Sequence, residues 1–87
     1  MANGPKGRDA WESVMSLVEA KVGQVVRVIG SRGGKMDARL LQVGVYPEDH
    51  IRVLRRAPLG GPLLVEVAGR EIAVGRGVAA RILVERL

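Results

Sequence analysis

Glu48, Asp49 and His50 form the one place where a histidine stands beside carboxylates, and His50 is the single histidine of the chain. Imidazole and carboxylate are ligands that suit Fe²⁺ and similar divalent ions. Three consecutive residues entering a strand cannot all face one ion, however, because successive side chains point to opposite faces. A complete site would need ligands from elsewhere or from another chain, and turns rich in Asp and Glu form readily without metal. The expectation is at most a weak, exposed contact for Fe²⁺ or another divalent transition metal at His50 and Glu48, with no tightly bound cofactor.

Two other chemistries are suggested and then excluded by spacing. Gly30-Ser31-Arg32-Gly33-Gly34-Lys35 has the glycines and lysine of a phosphate-binding loop. That motif needs a glycine five positions before the Gly-Lys pair and a hydroxyl after it, to ligate Mg²⁺. Ile29 and Met36 occupy those positions, so the stretch reads as a flexible connection. Ser13, Ser16 and Ser31 have no histidine near in sequence, and without cysteine there is no thiol nucleophile. No catalytic constellation remains, and the chain reads as a non-enzyme.

The remaining candidate is Arg55-Arg56-Ala57-Pro58-Leu59-Gly60-Gly61-Pro62, which leads from one apolar strand pattern into another. Proline fixes φ and lacks an N–H, while glycine admits positive φ, so the run is a chain reversal of defined shape. Leu59 puts an apolar side chain at its tip. Two readings stand side by side: a simple turn, or a stiff apolar tip with a basic collar from Arg55 and Arg56. Such a tip loses little conformational entropy on docking.

The elements that must hold these residues follow from patterning. Trp11, Val14, Met15 and Val18 recur at helical spacing, and the pairs Asp9/Glu12 and Ser16/Glu19 each have the spacing of a capping box. An N-terminal helix is expected there, starting at either pair. Residues 24–29 read as a strand with Arg27 between valines, and residues 36–43 as a short helix stopped by Gly44 and Pro47. Strands follow at 51–56, 63–68 and 71–74, the last two joined by a tight Gly69-Arg70 turn. Residues 75–81 read as one helical turn and 82–84 as a last short strand. Five short strands in one bent sheet hide their edges by closing, so a small barrel is expected.

With 87 residues the chain is one small domain, and with no Phe and one each of Trp and Tyr its core must be Val, Leu and Ile. No apolar run approaches the roughly 20 residues of a membrane span, and no signal-peptide pattern opens the chain. The net charge of +5, mostly arginine, admits an anionic partner. The scarcity of aromatic stacking platforms argues against single-stranded nucleic acid. A basic nucleic-acid-binding barrel remains the alternative reading.

The run RLLQVGVYPEDHIRVLRRAPLGGPLLVEVAGREIAVGRGVAARILV resembles the domain of the ferrous iron transport protein A (FeoA) family. The features that carry the resemblance are the helix exit from Leu40 to Gly44 and Pro47, the Arg-x-Ala-Pro-Leu-Gly-Gly-Pro knuckle, the Val-x-Val-x-Gly-x-x-Ile-Ala hairpin and the closing Ala-x-x-Ile-x-Val. The upstream MSLVEAKVGQVVRV resembles the family's opening segment. The resemblance covers residues 15–87, leaving 1–14 as an N-terminal extension expected to be partly disordered or to lengthen the first helix. It implies an SH3-like five-stranded barrel and a small cytoplasmic accessory of the FeoB ferrous-iron permease, recruited to the inner membrane by that partner. No nucleic acid partner and no direct membrane insertion are expected, and the chain is expected to be a monomer or weak dimer. Two positions depart from the pattern. Pro47-Glu48 stands where the family tends to have Pro-Gly, and Gly75 stands where a basic residue usually follows the Ile-Ala-Leu strand, with Arg76 next.

Overall fold

A computed structural model describes residues 13–33 and 36–87. Six strands form one antiparallel sheet: β1 (Val14–Ser16), β2 (Val25–Ser31), β3 (His50–Arg56), β4 (Leu63–Val67), β5 (Arg70–Val74) and β6 (Ile82–Arg86). Their order is β1-β6-β2-β3-β4-β5. A 3₁₀ turn, Leu17–Glu19, follows β1, and two short helices, α1 (Ala38–Gln42) and α2 (Arg76–Ala79), lie between strands. The mainly β class with short helices is as expected. The closed, five-stranded form is not. Among the described residues β1 and β5 do not pair, so the curved sheet keeps two edges, and its strands number six.

The largest correction concerns the N-terminal helix. Trp11, Asp9 and Glu12 lie outside the described residues. Val14–Ser16, which helical spacing assigned to a helix, is a strand whose Val14, Met15 and Ser16 face Glu85, Val84 and Leu83 of β6. An available strand edge offers main-chain bonds that override a local 3.6-residue pattern, and Met15 and Ser16 are both buried where they pair with β6. The Ser16/Glu19 spacing does carry the expected bonds. The Ser16 N–H and hydroxyl both donate to Glu19 Oε2 at 3.0 Å, closing a 3₁₀ turn rather than starting a helix. Those bonds also hold the Glu19 carboxyl below its usual pKa.

β2 is the inner strand that joins the two halves. It pairs with β3 on one side and β6 on the other. A register shift between Val28 and Gly30 makes Ile29 the extra residue of a bulge. The bulge lets Gly30 and Ser31, expected in a loop, continue the ladder against Leu83 and Ile82. Ser31 is buried, and its hydroxyl accepts the Asp37 N–H at 3.0 Å, fixing the start of α1. Asp37 caps that helix by accepting the Arg39 N–H at 2.9 Å. The inward valines and isoleucines of β2, β3, β4 and β6 meet Leu17, Leu40 and Val45 in one aliphatic core.

Ala68 and Gly69 join β4 to β5 with φ of 51° and 78°, and Val67 faces Arg70 across the turn. Positive φ at both central residues defines a type I′ hairpin, in which alanine is the ill-suited member. Ala68→Asn is expected to raise unfolding free energy by about 0.5–1 kcal/mol, read by urea denaturation, because asparagine tolerates that backbone region. Asp37 supplies a pH test. Side-chain and backbone bonds from Arg39 hold its carboxyl at about 2, from 3.8. Depression means that the stabilisation is full above the unfolded value and is lost as pH falls through about 2. The Asp37 carboxyl carbon, followed by NMR, is expected to titrate in that range, and Arg39→Ala is expected to move the midpoint upward.

Candidate protein-interaction site

The knuckle begins where the β3–β4 ladder ends, at Arg56 facing Leu63. The Ala57 N–H donates to the Pro62 carbonyl at 3.0 Å, and inside that ring the Gly61 N–H donates to the Pro58 carbonyl at 3.1 Å. Leu59 and Gly60 between them have φ of 58° and 74°, which makes a second type I′ turn. Gly61 is packed closely: a Cβ there would stand 2.8 Å from the Ala57 Cβ. From α2, Arg76 Nε donates to the Gly61 carbonyl at 3.1 Å. Proline geometry, two nested main-chain bonds and this guanidinium leave the loop little freedom.

Leu59 stands at the apex, 103% exposed. A leucine with positive φ costs roughly 1–2 kcal/mol against an unstrained residue, and its exposure recovers none of this through burial. Within the described molecule, nothing apolar covers it. Backbone strain combined with an exposed apolar side chain is the observation from which a contact surface is inferred.

The two arginines expected to form a collar are placed differently. Arg55 is exposed at the outer side of β3. Arg56 is half-buried and turned inward, with Nη1 donating to the Ala20 carbonyl at 2.6 Å and Nη2 to the Val18 carbonyl. Arg56 therefore ties the knuckle's base to the 3₁₀ turn, leaving Arg55 beside the tip. Pro58, Leu59, Gly60 and Pro62 are exposed around it. Arg76 enters as an anchor that sequence spacing identified only as a departure from the family pattern.

The acid–histidine cluster is drawn apart. Glu48 has φ 78° at the turn where the family tends to carry glycine. Its Oε1 accepts from Arg27 Nη1 at 2.8 Å, while Arg27 Nε and Nη2 donate to Glu85 Oε1 at 3.1 and 2.6 Å. Asp49 Oδ2 accepts the Tyr46 N–H at 2.9 Å and so closes its own turn. His50 is exposed at the start of β3, facing Arg27 across the ladder. A single guanidinium bears on both candidate ligands: Arg27 is paired with Glu48 and lies opposite His50 on the adjacent strand. Among the described residues no group of three or more His, Cys, Asp and Glu is arranged to hold a metal.

The antiparallel sheet with its short helices defines a mainly β, SH3-like fold. A model of the FeoA domain matches residues 15–86, and the chain belongs to the FeoA family, which is associated with ferrous iron transport. A protein of Methanocaldococcus jannaschii named Fe(2+) transport protein A is 35% identical over 71 residues, covering 79% of this chain and 83% of that protein. A crystal structure of an iron uptake regulatory protein, FeoA, superposes with a TM-score of 0.73 at 31% identity, over 85% of this chain and 97% of that one. Stenotrophomonas maltophilia FeoA, an SH3 domain protein crystallised with zinc, matches with a TM-score of 0.66 at 25% identity, over 82% and 89%.

Replacing the strained Glu48 tests the turn. Glu48→Gly removes left-handed strain of roughly 1–2 kcal/mol and one exposed ion pair of about 0.2–1 kcal/mol, while Arg27 keeps Glu85. Thermal and urea unfolding are expected to show a variant as stable as the parent or about 1 kcal/mol more stable.

Proposed function

We propose that this chain is a cytoplasmic accessory of ferrous iron transport that docks onto the cytosolic portion of the FeoB permease through the knuckle at residues 55–62. The observation that carries this reading is Leu59, an aliphatic side chain held fully outside the molecule by a strained and braced turn. A preformed tip reaches a partner pocket without ordering a loop, and arginine, enriched at binding hot spots, is a suitable neighbour for it. Arg55 supplies that neighbour. Docking would shift the permease's conformational or GTP-hydrolysing equilibrium in proportion to its differential affinity for the two states.

Family membership and the ferrous iron relative support the system in which this happens. Among the described residues no helix is long and apolar enough to cross a membrane, which suits recruitment to the membrane by a partner. The internal use of Arg27, Arg56 and Arg76 favours a protein partner over nucleic acid, because these guanidinium groups hold carboxylates and carbonyls rather than standing free. Fe²⁺ is cargo in this reading. The zinc complex of the S. maltophilia relative supports a weak divalent contact, for which His50 is the available imidazole.

Leu59→Asn keeps a residue that accepts positive φ and removes the apolar anchor. Expected is unchanged or higher thermal stability and roughly tenfold or greater loss of affinity for the purified soluble domain of the permease, the cost of a modest hot spot. Thermal unfolding measures the first, and titration calorimetry with and without guanine nucleotide the second. Equal binding by parent and variant excludes the tip as the interface.

A further inference from the structure

β5 is an edge of the sheet, and its free side faces a groove rather than another strand. In the hairpin register Arg70, Ile72 and Val74 lie opposite Val67, Val65 and Leu63. A two-residue loop makes Arg70 a hydrogen-bonded partner of Val67, so alternate residues Glu71 and Ala73 direct their main-chain groups away from β4. Among the described residues these groups have no main-chain partner outside the ladder. Such an edge is a template for another strand.

The groove beside this edge holds about 150 Å³ and is lined by Leu40 from α1, Val43 just after it, Ile72 from β5 and Val78 from α2. That volume suits one or two aliphatic side chains. Val43, part of that lining, is 43% exposed, so the groove opens onto an apolar rim. The elements that line the groove carry two exposed arginines. Arg39 lines the groove itself, its side chain 64% exposed although paired with Asp37. Arg70, two residues before Ile72 on β5, reaches the Gly44 carbonyl with a 3.4 Å contact, long and exposed enough to yield to a carboxylate.

We propose that the β5 edge is a second docking site, taking by strand addition an extended segment of another protein with an aliphatic residue between acidic ones. The segment's main chain pairs with Glu71 and Ala73, its aliphatic side chain enters the groove against Ile72 and Val78, and its flanking carboxylates meet Arg70 and Arg39. Main-chain bonds provide affinity and the alternate side chains provide selection. The site is separate from the knuckle and does not depend on the permease reading.

The test uses the full chain, labelled with ¹⁵N, and two synthetic pentapeptides, acetyl-Asp-Val-Thr-Ile-Glu-amide and its lysine-flanked counterpart. The acidic peptide is expected to shift the Glu71 and Ala73 amides and slow their hydrogen exchange, binding at least fivefold more tightly than the lysine form. Val43→Asp, at an exposed position, is expected to lower that affinity at least tenfold, whereas Leu59→Asn leaves it unchanged. Equal binding of the two peptides, or shifts that spare Glu71 and Ala73, overturns the proposal. So do Glu71 and Ala73 amides already protected in the free protein, since the edge would then be occupied by the chain itself.

Discussion

Pairing of β2 with β6 is the constraint on which this molecule depends. It joins segments near opposite ends of the chain, setting Val26 against Arg86 and Val28 against Val84. Through β6 it also gives β1 a strand to join, and through β3 it carries the β3–β4–β5 meander that ends in both exposed features. Closing so long a loop costs chain entropy, recovered only when the aliphatic side chains meet in one core. Arg27 reinforces the seam. Directly opposite Glu85 in the ladder and 12% exposed, it binds that carboxylate with two nitrogens and reaches Glu48 with a third. Its hydrogen bond to Glu85 is the main reason its pKa is raised.

Among the described residues, three other than glycine have positive φ: Glu48, Leu59 and Ala68. Each lies in a tight turn, and each raises the question of what offsets its strain. Glu48 gains an ion pair with Arg27. Ala68 completes a two-residue hairpin and costs only a modest mismatch. Leu59 is different, since its side chain gains nothing within the described molecule, while Arg76, Gly61 and two prolines hold its loop in place. Strain supported by so much bracing is consistent with a surface made for use outside the molecule.

The arginines divide into two groups, and the division changes what the net charge means. Arg27, Arg56 and Arg76 act inside the fold, the latter two by donating to backbone carbonyls that the turns leave open. A charged donor to a carbonyl is stronger than a neutral one and replaces secondary structure where the chain is irregular. Arg32, Arg39, Arg52, Arg55, Arg70, Arg81 and Arg86 are the exposed group, with Arg39 by the groove and Arg55 on the strand that leads to the tip. The positive charge that a partner meets is therefore carried mainly by this exposed group.

Local physical chemistry in the sequence was enough to determine the strands from β3 onward, the knuckle as a structured reversal, the Ser16/Glu19 bond pair and the all-aliphatic core. Pro and Gly limit φ wherever they stand, and alternation of Val with Arg or Glu selects a face without help from distant residues. The family was legible for the same reason, because its order of turns and strands is written in local residues. Tertiary structure alone decided that Val14–Ser16 is a strand, since β6 must be present before its edge can outcompete a helical pattern. It decided that Ser31 continues β2, because only a bulge at Ile29 brings it to Ile82. It also separated Arg55 from Arg56 and neutralised Glu48 with Arg27, pairings between residues far apart in sequence that no spacing encodes. Last, it left the β5 edge open beside α1, because whether a curved sheet closes depends on how its two ends meet across the core.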